Sequence, residues 1–384
     1  MNFELTPEQQ AFSDTVTRFA QSKLADGVLA RAHASSYPWD IARSLADAGL
    51  FGIALPMEDG GQGGTLVDSI IAIQAVASVC PKSADVIQAG NFGAIRTFAE
   101  YANPEQKTRF LPGLLKGETL LGLGMSEPEA GSAVTDLKTT AVIDADEVVI
   151  NGTKVFSTHS AHATVFLIYV RFGPGVGGIG SVLIERGTPG FSVGAPSAFM
   201  SGEEWTQLYF DDCRIPKANI LLGAGGFKRQ ISGFNVERLG NSSRALAVGR
   251  HAFEIARSYV LERHQFGRPL AEFQGLQWRF AETAVKLDAA QLLLYRAATS
   301  PGPDGLPTSY GTSAAKFLCN QAGFEAADLA VQAMGALGYS QESIVEYCFR
   351  RTRGWMIAGG STEILKTKIA EAVFGRKFDQ RARA

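Results

Sequence analysis

The spacing of apolar residues changes twice along this chain of 384 residues, and those two changes constrain the fold more than any other feature. Up to about residue 120 the apolar positions recur at helical spacing, between 121 and 228 they fall in short runs, and from about 229 the helical period returns in long segments. The order helix, sheet, helix predicts three packed units of a mainly helical α+β protein, over 1–120, 121–228 and 229–384. In the first unit, Thr6-Pro7-Glu8-Gln9 reads as a helix start: Thr6 caps, Pro7 takes the first helical position and Gln9 completes a capping box. Phe12, Val16, Phe19 and Ala20 follow on one face. Further helices are expected over 41–48, stopped by Gly49, and over 70–79, 85–101 and 104–115, with a loop where four glycines crowd into 56–64. Apolar runs at 141–143, 148–150, 165–170, 181–184 and 208–210 predict antiparallel strands. Long helices are then expected over roughly 232–264, 272–300, 308–336 and 341–372, with a break at 301–307.

Charge excludes several functions. With 36 Lys+Arg against 38 Asp+Glu, no global field recruits nucleic acid or an anionic membrane. The four cysteines, Cys80, Cys213, Cys319 and Cys348, are scattered without a CxxC pair, so neither a disulfide framework nor a zinc site is expected. No apolar run reaches membrane-spanning length and the start has no signal-peptide order, which predicts a cytoplasmic protein. His159 and His162 stand three apart beside a predicted strand without a partner acid, so no metal is expected there. No GxSxG is present. Gly175-Val-Gly-Gly-Ile-Gly180 matches GxGxxG, but a strand rather than a helix follows it, and it is expected to be a hairpin connection.

Four stretches carry a resemblance over essentially the whole length. They are Met125-Ser-Glu-Pro-Glu-Ala-Gly-Ser132 with Lys154-Val-Phe-Ser-Thr158; Arg263-His-Gln-Phe-Gly-Arg-Pro-Leu-Ala-Glu-Phe-Gln274; Gln332-Ala-Met-Gly-Ala-Leu-Gly-Tyr339; and Ile357-Ala-Gly-Gly-Ser-Thr-Glu-Ile364. In this order they resemble the acyl-CoA dehydrogenase family, flavoproteins with an N-terminal helical domain, a middle antiparallel β-barrel-like domain and a C-terminal four-helix bundle. The resemblance implies FAD as cofactor, an acyl-CoA substrate, an electron-transfer flavoprotein as partner and a homotetramer built as a dimer of dimers. It implies that Met125, Ser126, Phe156 and Thr158 line the flavin ring, Phe156 standing where a tryptophan is usual. Arg263, Gln265, Phe266, Gln274, Gln332 and Gly335 would hold pyrophosphate and adenosine, arginine because its planar fork suits phosphate. Ser361 and Glu363 would also contact the cofactor, and Ser132 and Phe234 the substrate.

Dehydrogenation of this kind needs a carboxylate beside the substrate α carbon and a donor for the thioester carbonyl. Most members of the family place the acid in the C-terminal loop, whose counterpart here is Ala358-Gly359-Gly360-Ser361. Two readings follow. In one, the base has moved to the first bundle helix, as in the isovaleryl-CoA and long-chain enzymes, and Phe234-Asn-Val-Glu-Arg238 then makes Glu237 the base. Arg238, Gly359 and Gly360 would be substrate contacts, the Gly359 N–H polarising the thioester. In the other, the site carries different flavin chemistry, such as enoyl-CoA reduction, sulfinate removal or oxygenation, or serves as a flavin-free interaction protein. The departures at Ala133, Arg351 and 199–205 leave the substrate open.

Overall fold

The computed structural model describes residues 4–303, 305–378 and 380. Among the described residues, seven α-helices precede the sheet: α1 (Pro7–Leu24), α2 (Val28–His33), α3 (Trp39–Asp47), α4 (Leu66–Ala77), α5 (Ser83–Ala89), α6 (Ala94–Tyr101) and α7 (Pro104–Leu115). The capping box of α1 forms as the sequence dictates: Gln9 N donates to Thr6 Oγ1 at 3.2 Å and Thr6 N to Gln9 Oε1 at 3.1 Å. The single helix expected over 85–101 is instead α5 and α6. Between them Gly90 approaches the Phe51 ring so closely that a β-carbon would sit 2.5 Å away. Asn91 Nδ2 donates to Leu50 O at 2.8 Å and Asn91 Oδ1 accepts from Ile53 N at 2.8 Å.

The strands are β1 (Leu121–Gly124), β2 (Thr140–Asp144), β3 (Glu147–Thr158), β4 (Val165–Arg171), β5 (Ile179–Glu185), β6 (Phe191–Val193), β7 (Ser197–Ala198), β8 (Glu204–Pro216) and β9 (Ile220–Leu222). They form a sheet in the order β6-β8-β3-β2-β4-β5-β9, with β1 beside β4 and β7 beside β8. Pairing is antiparallel except that β1, and one bridge of β2, run parallel to β4, a departure from the all-antiparallel expectation. β4 is buried on both faces: Leu167 and Tyr169 enter one core with Phe98 and Leu183, while Phe166, Ile168 and Val170 enter another with Val182 and Phe210. The glycine-rich 175–178 segment connects β4 to β5, as a hairpin connection should.

The helices that follow are α8 (Phe227–Glu262), α9 (Gln274–Thr299), α10 (Ser309–Met334), α11 (Ala336–Tyr339), α12 (Ile344–Trp355) and α13 (Thr362–Val373); a hairpin of β10 (His264–Gln265) and β11 (Arg268–Pro269) links α8 to α9. The helix expected over 341–372 is divided at 356–361, where Gly359 and Gly360 take φ of +70° and +96°. L-residues avoid that region, which ends a helix.

Two compact units result, and each is described by itself. One contains the described residues of Met1–Ala25, Ile73–Ala84 and Asn235–Ala384, the other Asp26–Ala72 and Asp85–Phe234. In the first, α8 and α10 run in the same direction and meet backbone to backbone. A β-carbon on Gly249 would lie 2.3 Å from Gly323 O, and one on Gly323 would lie 2.2 Å from Ala245 O. The four cysteines are free and buried. Among the described residues no helix is long and apolar enough to cross a membrane.

Candidate active site

In the sheet-containing unit, the site is built on the end of β3. Glu127 anchors the segment that carries Met125 and Ser126: its Oε1 accepts from Lys154 Nζ at 2.7 Å and from Thr139 N and Oγ1 at 3.0 and 2.6 Å. Lys154 also reaches Met125 O at 3.3 Å, and Val155 N donates to Ser126 O at 2.9 Å. Burial pulls the Lys154 amine down to about 8 despite the facing carboxylate, and the Glu127 carboxyl lies below its ordinary value, Lys154 and Thr139 outweighing burial. The pair thus fixes Met125 and Ser126 against the strand that leads to Phe156.

Phe156 breaks two ordinary rules of a strand residue. Its φ is +55°, at a register shift between Lys154 and Ser157, and its ring is 57 % exposed. It is therefore not core filler. The ring lies 4.6 Å from Trp205 and 6.4 Å from Phe199, so three aromatic side chains form one shelf. Thr158, exposed, pairs directly with Trp205. Trp205 and Phe199 were legible only as an unusual segment; their convergence on Phe156 depends on the β3–β8 register. Ser132 is exposed in the turn after the Glu127–Ala130 bridge. Phe234 packs against the apolar core, its ring 6.3 Å from Tyr169. His162 faces Glu204 at 3.1 Å and His159 lies edge-on to Tyr37; no group of metal-ligating side chains occurs among the described residues.

In the helical unit, Glu237 is part-buried on α8 and lies in a cationic nest. Burial pushes its carboxyl above the ordinary carboxylate value, against the opposing pull of Arg244, Arg238, Lys316 and a hydrogen bond with Asn241. Asn241, one turn along α8, accepts from Arg244 Nη2 through its Oδ1. Its Nδ2 stands 2.8 Å from the point where a β-carbon on Gly359 would be, so the space beside that glycine is already filled by the side chain that holds Glu237. The Gly359 N–H meets no acceptor among the described residues. Arg238 donates to Asn235 Oδ1 at 3.0 Å, and its Nη2 lies 3.8 Å from where a β-carbon on Gly360 would be. The structure thus brings Glu237, Arg238, Gly359 and Gly360 together.

Asn241, Arg244 and Lys316 escaped the sequence reading. Asn241 and Arg244 follow Glu237 at helical spacing and share its face. Lys316 had a signal of its own, a lone cation among small apolar residues of a helix.

The remaining positions fall at helix ends. Arg263, Gln265 and Gln274 are exposed around the β10–β11 hairpin, and Phe266 is 93 % exposed at φ +54°. Gln332 and Gly335 are exposed at the end of α10. Ser361 and Glu363 open α13 and line a cleft of about 420 Å³ with Phe317, Phe324 and Lys366.

Known proteins match the chain along most of its length. Three family models match successive parts of the chain: acyl-CoA dehydrogenase, N-terminal domain, over 6–118, middle domain over 122–213 and C-terminal domain over 224–374. The chain is 34 % identical over 383 residues to the acryloyl-CoA reductase (NADH) of Anaerotignum propionicum, covering 98 % of this chain and 97 % of that protein. It is 33 % identical to the 3-sulfinopropanoyl-CoA desulfinase of Advenella mimigardefordensis, covering 98 % and 96 %. Among solved structures, the butyryl-CoA dehydrogenase of Megasphaera elsdenii superposes with a TM-score of 0.90 at 28 % identity, covering 97 % and 100 %.

Proposed function

The chain belongs to the acyl-CoA dehydrogenase family, and from that premise we propose that it catalyses α,β-dehydrogenation of an acyl-CoA thioester with Glu237 as the α-proton base. One observation carries the proposal. Asn241 occupies the space beside Gly359 and hydrogen bonds to Glu237, so the missing loop carboxylate and the helix-borne one are two sides of one packing solution. A carboxyl raised above its ordinary value is a stronger base once ionised than an exposed one. The Gly359 N–H, without an acceptor among the described residues, is suited to donate to the thioester oxygen as charge builds there when the α proton leaves.

FAD is the cofactor of this family, and the residues present suit it. The aromatic shelf of Phe156, Trp205 and Phe199 offers an exposed apolar surface for a planar ring, presented by a strained backbone. Arg263, with Gln265, Phe266, Gln274, Gln332, Gly335, Ser361 and Glu363, would hold its phosphates and adenosine. When bound, FAD supplies the acceptor for the β hydride. Met125, Ser126 and Thr158 would orient it, while Ser132, Phe234, Arg238 and Gly360 would line the path of the substrate. An electron-transfer flavoprotein as electron acceptor and a homotetramer complete the reading.

The resemblance to a reductase and a desulfinase supports a second reading, in which the same carboxyl delivers rather than removes the α proton. Anaerobic mixing of the FAD-loaded protein with an acyl-CoA panel separates the two. Dehydrogenation bleaches the flavin, and E237Q lowers the bleaching rate by at least about 100-fold while flavin stays bound. Unchanged bleaching in E237Q removes Glu237 as base. No bleaching by any saturated thioester, with reoxidation of reduced flavin by an enoyl-CoA, favours the reductive reading.

A further inference from the structure

Lys316 is wholly buried on α10, in a stretch of small residues, and its ammonium is committed to one turn of backbone. Nζ donates to Trp355 O at 2.9 Å and to Gly360 O at 3.1 Å, and Cε lies 3.6 Å from where a β-carbon on Gly359 would be. Asn320, one turn further along α10, donates to the same Trp355 O at 2.7 Å. The 355–360 turn that presents Gly359 is therefore fastened to α10 by two side chains. Within the turn, Ile357 N and Ala358 N donate to Gly354 O and Thr362 N to Met356 O, while both glycines sit at positive φ and the Gly359 N–H meets no acceptor among the described residues.

The charges around Lys316 are few and identifiable. From α8 come Glu237, Arg238 and Arg244. From α12 comes Arg351, whose guanidinium lies 4.5 Å over the Trp355 ring, with that of Arg244 at 4.8 Å from the same ring. On α13, Glu363 and Lys366 are exposed. On α9, Lys286 pairs with Glu325, Arg279 with Asp328 and Asp288 with Arg250 at the surface, and Glu282 and Arg296 are exposed. Among the described residues Glu237 is thus the one carboxylate acting on Lys316, and Lys316 is one of three cations acting on Glu237.

We propose that Lys316 is a positioning residue for the reaction, clamping the Gly359–Gly360 turn to α10 and setting, through its charge, the pH at which Glu237 ionises. The charge-setting half rests on the reading of Glu237 as base; the clamp does not. Burial and the neighbouring arginines bring the Lys316 amine down to about 7, so its charge is sensitive to pH near neutrality.

The test uses FAD-loaded K316M and K316R beside the wild type and E237Q, with K316Q in reserve should Met not be tolerated. Two quantities are read: the pH profile of anaerobic flavin bleaching by acyl-CoA, and amide hydrogen exchange of 355–361 without substrate. In K316M the profile moves to higher pH, with bleaching slower by about tenfold near neutrality and recovering in alkali, because one pKa unit is tenfold in ionised base. Exchange across 355–361 accelerates in the same variant. K316R keeps the charge and restores the profile. A profile that does not move in K316M overturns the charge-setting role, and unchanged exchange overturns the clamp. If E237Q bleaches like wild type, the base assignment and the charge-setting role fall together, whereas the exchange data still decide the clamp.

Discussion

Asn241 Nδ2 stands 2.8 Å from the point where a β-carbon on Gly359 would be, and the same Asn241 hydrogen bonds to Glu237. The loop and the helix therefore cannot both carry the acid without rearrangement. Restoring a loop carboxylate as G359E is expected to destabilise the protein by about 2–3 kcal/mol, from the unfavourable φ and the collision. Pairing it with N241A should recover the collision part only. Thermal melts of the two variants check this, and equal melting temperatures for wild type and G359E would refute it.

The Glu127–Lys154 pair gives a second prediction. Both side chains are buried, with Lys154 wholly enclosed. Removing one partner strands the other, so K154M is expected to cost about 3–5 kcal/mol and to loosen Met125 and Ser126 from β3. Denaturant unfolding reads the stability. Titration of the apoprotein with FAD reads the second effect as weaker binding.

Phe156 separates stability from function. Its backbone conformation favours glycine, so F156G should leave the apoprotein as stable as wild type or nearly so, the relief of strain offsetting the lost ring contact with Trp205. FAD binding should weaken by roughly tenfold as the shelf loses a ring. Flavin retention on dialysis distinguishes the two effects, and a fully retained flavin would remove Phe156 from the cofactor site.

Lys316 and Glu237 make stability depend on pH with opposite signs. The folded-state value of Lys316, about 7, lies below its ordinary 10.5. Between those values the unfolded chain holds a proton that the folded chain lacks, so this group makes stability rise with pH across that window. Glu237 lies above its ordinary 4.5, and just above that value the folded chain holds the extra proton. Its contribution is present in acid and lost as pH rises through the folded value. Unfolding free energies of K316M and E237Q against pH should each lack one of these slopes.

The sequence announced its local structure far better than its long-range contacts. The capping box at Thr6 and Gln9 involves neighbours three apart and forms as read. β1 escaped because Gly122 and Gly124 are poor strand formers. They are needed there because β-carbons would press within 2.8 Å of the Phe166 ring and 2.6 Å of Ile168. The break between α5 and α6 escaped for a related reason: residues 83–92 are buried almost all round, so no amphipathic period marks where α5 stops. Glu237 and Gly359 were identified through family resemblance, but Lys316 and Trp205 join their neighbours only by tertiary packing.

The backbone contact of Gly249 with Gly323 has a consequence for how such a protein can diversify. The offset between α8 and α10, and with it that between Glu237 and Lys316, is gauged by these two glycines. Side chains away from that contact can be exchanged without disturbing the gauge. A methyl group at either glycine would change how Glu237 and Lys316 are set against each other.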